Sequence, residues 1–170
     1  LRSNEYGGHS DLTKGRWIAS PPVIVEACFT FIVHDHGGPA RCAVSPELRA
    51  DWISRIEAVG RLERGWNGYK APVPSARAVK NAKDLFEVAC DRDIMPGRVD
   101  ASGMGGLGMV FTEGTREVVA ELYNNGTAHA LFADHATEEM DTRPISSTAE
   151  GYYTFLNEVH QYLYGQAPAR

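Results

Sequence analysis

The sequence has little cysteine, no run of basic residues and no apolar run long enough to cross a membrane. Its three cysteines are widely spaced and odd in number, which argues against a disulfide framework or a Cys-x-x-Cys metal site. The 17 lysines and arginines are dispersed and the formal net charge is −5, so we do not expect nucleic acid as a partner. The longest apolar stretch, Val23–Val33, is interrupted by Glu26 and Thr30, and we expect no membrane segment.

The beginning of the chain also lacks the apolar segment of a signal peptide, which predicts a cytoplasmic protein. Residues 1–20 are rich in glycine, serine and charge, and we expect a flexible N-terminal segment there. The hydrophobic content of 43% and charged content of 23% are typical of globular chains. A length of 170 residues suits one domain, which we assign to 21–165, followed by a short tail at 166–170.

Motifs of the common enzyme classes are missing as well, including the Gly-x-Ser-x-Gly elbow, the His-Glu-x-x-His helix and the Walker loop. Gly103, Gly105 and Gly108 match the spacing of a dinucleotide-binding loop. A strand-like segment follows them where that loop requires a helix, so we interpret them as a glycine-rich entry to a strand. We therefore expect no cofactor and favour a protein that is not an enzyme.

Hydrophobic patterns in the first half predict the beginning of an α+β fold. The period-two pattern of Val23–Val33, followed by a turn and then Ala40–Val44, predicts an N-terminal β-hairpin. Ser45, followed by proline, suits the start of a helix that runs to about Arg64. A second amphipathic helix follows Ser75. The apolar stripes of these two helices are Leu48, Trp52, Ile56, Val59 and Leu62, and Ala78, Val79, Ala82, Leu85, Phe86 and Ala89.

The second half predicts a three-stranded antiparallel meander and a C-terminal helix packed on it. Leu107–Phe111 and Arg116–Tyr123 are the first two strands, and the third follows a loop at 124–126. If that loop has three residues, apolar residues face each other: Leu122 and Ala128, Ala120 and Ala130, Val118 and Phe132. Ser147 and Glu150 have capping-box spacing and predict the helix start. Its apolar stripe is Tyr152, Phe155, Leu156, Val159 and Leu163.

The segment between the first two helices contains Trp66, Asn67, Gly68 and Tyr69, in which two aromatic residues flank an Asn-Gly pair. Asn67 and Gly68 can supply the positive φ angles that let the chain reverse. The aromatic side chains then either pack as an interhelical corner or form a platform for a ligand.

The same segment resembles a known bacterial pattern. The run from Gly65 to Ser75 resembles the pattern Trp-(Asp/Asn)-Gly-x-x-Ala-x-Pro before a helix, although its prolines stand at 72 and 74, on either side of the position of the pattern's proline. It is similar to a family of small uncharacterised bacterial proteins, over about residues 62–132. The resemblance implies a short meander after the helix and a bacterial origin, on mobile DNA such as an integron gene cassette. It implies no activity.

His34, Asp35 and His36 are the candidate metal-binding or catalytic residues. Two imidazoles and a carboxylate beside a turn could share a metal ion such as zinc, but no spacing in the chain identifies further ligands. The alternative interpretation is an exposed polar turn beside the predicted hairpin.

Aromatic and aliphatic residues off the core stripes favour an association surface, namely Tyr123, Leu131, Tyr153 and Tyr164. His129 is expected on the polar side of the meander. The candidate binding residues are therefore Trp66, Asn67, Gly68, Tyr69, Tyr123, His129 and Leu131. The leading hypothesis is a non-catalytic binding or accessory protein that acts through protein–protein contact or self-association, most simply as a homodimer. The alternatives are a small hydrolase or metal-assisted enzyme using the histidine cluster, and a small-ligand-binding domain.

Overall fold

A computed structural model describes residues 44–68 and 70–165, all of which belong to one structural unit. In the described residues, two helices precede five strands and a third helix. These are α1 Pro46–Gly60, α2 Ala76–Asp91, β1 Arg98–Ala101, β2 Gly106–Glu113, β3 Arg116–Tyr123, β4 Ala128–Asp134, β5 Glu139–Ile145 and α3 Ala149–Tyr164. The α+β class is confirmed. Apart from Val44, the predicted N-terminal hairpin lies outside the described residues, as do the segment 1–20 and the tail 166–170.

Helix α1 begins where the sequence predicts. The Ser45 hydroxyl accepts a hydrogen bond from the Leu48 N–H at 3.2 Å, which caps the first turn. The helix ends at Gly60, so the predicted extension to Arg64 is wrong. The placement of Leu48 in the core is wrong too, because its side chain is 40% exposed. Burial is concentrated in the middle of α1, where Trp52 stacks on Phe86 of α2 with ring centroids 5.9 Å apart.

The core lies between the three helices and one face of the sheet. Helix α2 is the most deeply buried helix, since Ala78, Ala82, Leu85, Phe86 and Ala89 have no exposed surface. Each fully buried leucine or phenylalanine side chain stabilises the fold by roughly 1.5–3 kcal/mol. The strands contribute Leu107, Met109, Phe111, Val118, Ala120, Leu122, Ala128, Ala130 and Phe132 to the same core. The predicted alternation of buried and outward-facing residues is therefore confirmed for β3 and β4.

The sheet is antiparallel and its strands lie in chain order, β1-β2-β3-β4-β5. The predicted register of β3 with β4 is confirmed, including the pair Leu122 and Ala128. The three-stranded prediction missed β1 and β5, which lie at the two edges of the sheet formed by the described residues. Strand β1 has only four residues, and β5 is exposed along six of its seven residues and contains Pro144. Proline is tolerated there because an edge strand has one side without a hydrogen-bonding neighbour.

Helix α3 buries the five residues of its predicted stripe. Its N-cap is Thr148, so the prediction of Ser147 as the cap is wrong by one residue. The Thr148 hydroxyl accepts the Gly151 N–H at 3.1 Å, whereas the Ser147 hydroxyl donates to the Gly126 carbonyl at 3.2 Å in the β3–β4 loop. None of the helices in the described part of the chain has the length and apolar character needed to traverse a bilayer.

Candidate functional site

The sheet has a second face, defined here as the face opposite the helices. Residues of a strand alternate between faces, so β3 directs Val119, Glu121 and Tyr123 to the second face, while β4 directs His129 and Leu131 there. All five of these side chains are half-buried. Polar, aromatic and aliphatic groups are therefore available side by side on this surface.

A cluster of four interacting residues lies at one end of the second face and is called the Glu121 cluster: Ser102, Glu121, Tyr123 and His129. Glu121 and His129 are direct cross-strand partners in the β3–β4 register. The Ser102 hydroxyl donates a hydrogen bond to Glu121 Oε1 at 3.3 Å, and the Tyr123 hydroxyl donates to Glu121 Oε2. The Tyr123 and His129 rings meet edge to face at 5.9 Å. Both carboxylate oxygens are therefore held by a hydroxyl group.

The turn between β1 and β2 fixes the position of Ser102. Its N–H donates to the Gly106 carbonyl at 3.0 Å, and its carbonyl accepts the Gly105 N–H at 2.9 Å. Its hydroxyl also accepts the Met104 N–H at 3.3 Å. Ser102 is only 7% exposed, so its side chain cannot rotate freely into solvent. The hydroxyl that meets Glu121 is thus set in place by the fold.

The hydrogen bond to Glu121 raises the pKa of Tyr123 to about 12, with a smaller contribution from burial. A tyrosine phenol is neutral at physiological pH in any case, and the raised pKa keeps Tyr123 a donor into the alkaline range. A carboxylate has about four acceptor positions, and two hydroxyl donors leave acceptor capacity on Glu121 for an outside group. That capacity suits a cationic donor, since charge-assisted hydrogen bonds are the strongest available to a carboxylate.

The Glu121 cluster contains a serine, a histidine and a carboxylate, but they are not connected as a nucleophilic triad. In a triad the serine hydroxyl is hydrogen-bonded to the imidazole, which acts as the base. Here the Ser102 hydroxyl donates to Glu121. The arrangement positions a carboxylate and does not activate the serine.

Of the predicted binding residues, the structure brings Tyr123 and His129 into contact and places Leu131 on the same face. Sequence reasoning missed Glu121 and Ser102. The register that places Leu122 opposite Ala128 also places Glu121 opposite His129, so this signal was present in the sequence pattern. Ser102 lies 19 residues before Glu121 in the sequence, in the turn between β1 and β2. No local sequence pattern predicts the contact between these two residues.

The other predicted binding residues lie in the corner between α1 and α2. Gly68 has φ +77°, as expected, but Asn67 is not among the residues with positive φ; Gly65 and Lys70 take that conformation instead. The Asn67 side-chain oxygen accepts the Ala71 N–H at 3.3 Å and so organises the turn. Trp66 is half-buried, and its indole N–H is buried without a hydrogen-bond partner in the described residues. Tyr69 lies outside the described residues.

This corner is joined to the sheet beside the Glu121 cluster. Asn124, the residue after Tyr123, accepts the Ser75 N–H at 2.6 Å and donates to the Val73 carbonyl at 2.8 Å. A Cβ on Gly105 would lie 3.0 Å from Pro72 Cβ, so the β1–β2 turn also approaches the corner closely. The motif residues Pro72, Val73 and Ser75 therefore connect the helices to the hairpin loops.

The predicted metal or catalytic residues, His34, Asp35 and His36, lie outside the described residues. Within 44–68 and 70–165, no group of three or more histidine, cysteine, aspartate or glutamate side chains is arranged to hold a metal ion. Cys90 is a buried free thiol, and burial raises its pKa. A raised pKa disfavours the thiolate, so Cys90 is unsuited to act as a nucleophile.

The Glu121 cluster is therefore the arrangement on the second face with the most defined chemistry: a carboxylate held by two hydroxyl groups beside an aromatic pair. Its function has to be inferred from these groups. No protein-family model, curated protein or solved structure matches the chain.

Proposed function

We propose that this protein is a non-catalytic bacterial binding or accessory protein that contacts a partner protein through the second face of its sheet. The Glu121 cluster is the centre of that contact, and a lysine or arginine side chain of the partner pairs with Glu121. The observation that carries the proposal is the fixed carboxylate, which has a hydroxyl donor on each oxygen and acceptor capacity left over.

Pre-positioning favours recognition. A long charged side chain usually loses rotamer freedom when it binds, and this loss weakens affinity. Glu121 is already held by Ser102 and Tyr123, so less freedom remains to be lost. The partner's cationic group therefore binds a carboxylate whose position changes little on binding.

The surroundings of Glu121 suit a protein contact. Val119 and Leu131 are half-buried cross-strand partners on the same face and offer apolar area, while the Tyr123 ring adds an aromatic surface. Aromatic residues surrounded by polar groups are typical of interface centres. The net charge of −5 also favours encounter with a basic partner.

Self-association would be the simplest form of this contact. It would make the protein a homodimer in which a basic group of one copy meets Glu121 of the other. The resemblance of the 65–75 segment supports a bacterial origin, with an integron gene cassette as the source of the gene.

The test titrates two tripeptides, Gly-Arg-Gly and Gly-Glu-Gly, into ¹⁵N-labelled protein. Binding is monitored through the amide chemical shifts of the protein. We expect Gly-Arg-Gly to shift the signals of Glu121, Tyr123 and His129 saturably, and Gly-Glu-Gly to leave them unchanged. Glu121→Gln abolishes the effect. Glu63→Gln, which removes the same charge from an exposed position outside the sheet, preserves it. Equal shifts in Glu121→Gln, or none in the unmodified protein, would refute the proposal.

Light scattering over a range of protein concentrations separates the two kinds of partner. A mass that doubles with concentration in the unmodified protein, and does not in Glu121→Gln, identifies a second copy of the chain as the partner. A constant monomer mass, together with the tripeptide response, identifies a different protein.

A further inference from the structure

A groove lies on the helix side of the sheet, between the edge strand β5 and helix α3. Its volume is about 370 Å³, which is within the usual range for small-molecule sites. Phe132, Ile145 and Phe155 are buried residues that form its apolar floor, and Arg143 of β5 and Glu158 of α3 also line it. The groove is on the face opposite the Glu121 cluster, so it is independent of the function proposed above.

The groove exists because the side of α3 next to β5 carries small or polar residues. Gly151, Thr154 and Glu158 recur at helical spacing along that side, and none of them fills the space over Ile145 and Arg143. Gly151 is also required there, because a Cβ would lie 2.2 Å from the Ser146 carbonyl oxygen. The groove therefore follows from the small and polar residues in the sequence of α3.

Charged groups of the groove are unequal in number. The Arg143 guanidinium pairs with Asp141 at 2.7 Å and Glu158 at 3.3 Å, and its carbon lies 4.9 Å from the centre of the Phe132 ring. Glu150 lines the groove as well and makes no ion pair with any described residue. The charged side chains that line the groove are therefore one guanidinium, Arg143, and two carboxylates, Glu150 and Glu158.

The excess of carboxylates over guanidinium groups in the groove favours a cationic ligand over an anionic one. An anionic ligand would have to displace a carboxylate from Arg143, because that guanidinium is already paired on two sides. A cationic ligand needs no displacement, since the excess carboxylate charge is unmatched. The Arg143 contact with Phe132 also shows that this wall accepts a cation beside an aromatic ring.

We propose that the β5–α3 groove binds a small organic cation, namely a primary amine or guanidine on an aromatic or aliphatic body. The cationic head lies beside Glu158, whose Oε1 accepts no hydrogen bond from a described residue, and the body lies over Ile145 and Phe155. The floor supplies apolar contact and the rim supplies charge, which is the usual composition of a small-molecule site.

Three probes of the same shape test the proposal: 2-phenylethylamine, 2-phenylethanol and phenylacetate. Each is titrated into ¹⁵N-labelled full-length protein, with amide shifts of residues 143–158 as the readout. We expect 2-phenylethylamine to bind with millimolar affinity, as its size allows, and the other two to bind several-fold more weakly. Phenylacetate binding as tightly as the amine, or no saturable shift at the groove with any probe, would overturn the proposal.

Variants separate this site from non-specific attraction to an acidic protein. Glu158→Gln should weaken amine binding by roughly three- to fivefold, the usual range for a partly exposed ion pair, and should strengthen phenylacetate binding because Arg143 loses a partner. Thr154→Leu should fill the groove and weaken all three probes, with the helix content checked by circular dichroism. Glu63→Gln is the matched control and should change nothing. Unchanged amine affinity in Glu158→Gln would count against the site even if Thr154→Leu failed to fold.

Discussion

The side-chain oxygen of Asn124 accepts a hydrogen bond from the Ser75 N–H at 2.6 Å, across 49 residues of sequence. Ser75 is the N-cap of α2 and its hydroxyl accepts the Ala78 N–H. The hydroxyl also lies 3.4 Å from the Asn124 carbonyl oxygen. One asparagine of the β3–β4 loop thus positions the start of the central helix. This contact gives the motif between α1 and α2 a structural role beside the sheet.

Asn124→Ala should lower the free energy of unfolding by about 1–3 kcal/mol, because it leaves the Ser75 N–H and the Val73 carbonyl without their partner. Asn124→Asp keeps the acceptor for Ser75 and loses the donor to Val73, so its effect should be smaller. Urea unfolding measures both. Asn157→Ala, at an exposed position of α3, is the control and should be neutral. Equal stabilities of Asn124→Ala and Asn157→Ala would show that the contact contributes nothing.

Gly105→Ala should also destabilise the protein by about 1–3 kcal/mol. Gly105 has φ +90°, and an added Cβ would lie 2.8 Å from Asn124 Nδ2 and 3.0 Å from Pro72 Cβ. Gly103, in the same turn, has neither a positive φ nor a neighbour within 4 Å of an added Cβ. Gly103→Ala should therefore leave the unfolding midpoint unchanged. A similar loss in both variants would mean that the turn, and not the contact with Asn124, limits stability.

Tyr123 should make the free energy of unfolding depend on pH in the alkaline range. Its pKa is raised to about 12 in the folded protein, mainly by the hydrogen bond to Glu121, from an ordinary value of about 10 when unfolded. The unfolded state therefore loses the proton first, and the stabilisation by Tyr123 is complete below pH ~10 and declines as the pH rises toward ~12.

Unfolding free energies of the unmodified protein and Tyr123→Phe, measured from pH 8 to 12, should therefore converge above pH ~10. Glu121→Gln should lower the pKa of Tyr123 toward its ordinary value, which an absorbance titration of the tyrosinate detects. Parallel stability curves for the unmodified protein and Tyr123→Phe would contradict the assignment.

The sequence was informative where a periodic pattern and burial coincide. The β3–β4 register and the α3 stripe follow from alternation of apolar and polar residues, and the structure contains both. It was uninformative for β5, where six exposed residues leave no alternation to read. That strand is positioned by pairing with β4, which is a tertiary effect. The caps show the same limit: Ser45 was identified correctly, whereas Ser147 and Thr148 are both capable caps and only their contacts distinguish them.

The candidate site was partly predictable for a related reason. Tyr123 and His129 lie outside the core stripes, so their position on the second face follows from strand alternation. Glu121 is not among the binding residues predicted from the sequence, although the predicted register already pairs it with His129. The contact with Ser102 depends on a turn held by its own backbone hydrogen bonds, and no sequence period encodes such a contact.

Pro144 has a consequence for how copies of the chain meet at high concentration. Among the described strands, it lies in the one at the β5 edge of the sheet, where a strand from another molecule would need a continuous row of backbone donors in order to pair. The proline ring has no N–H to offer, and Glu139, Asp141 and Arg143 place charge along the same edge. Edge-to-edge pairing of sheets from many copies into aggregates is therefore disfavoured at this edge of the sheet.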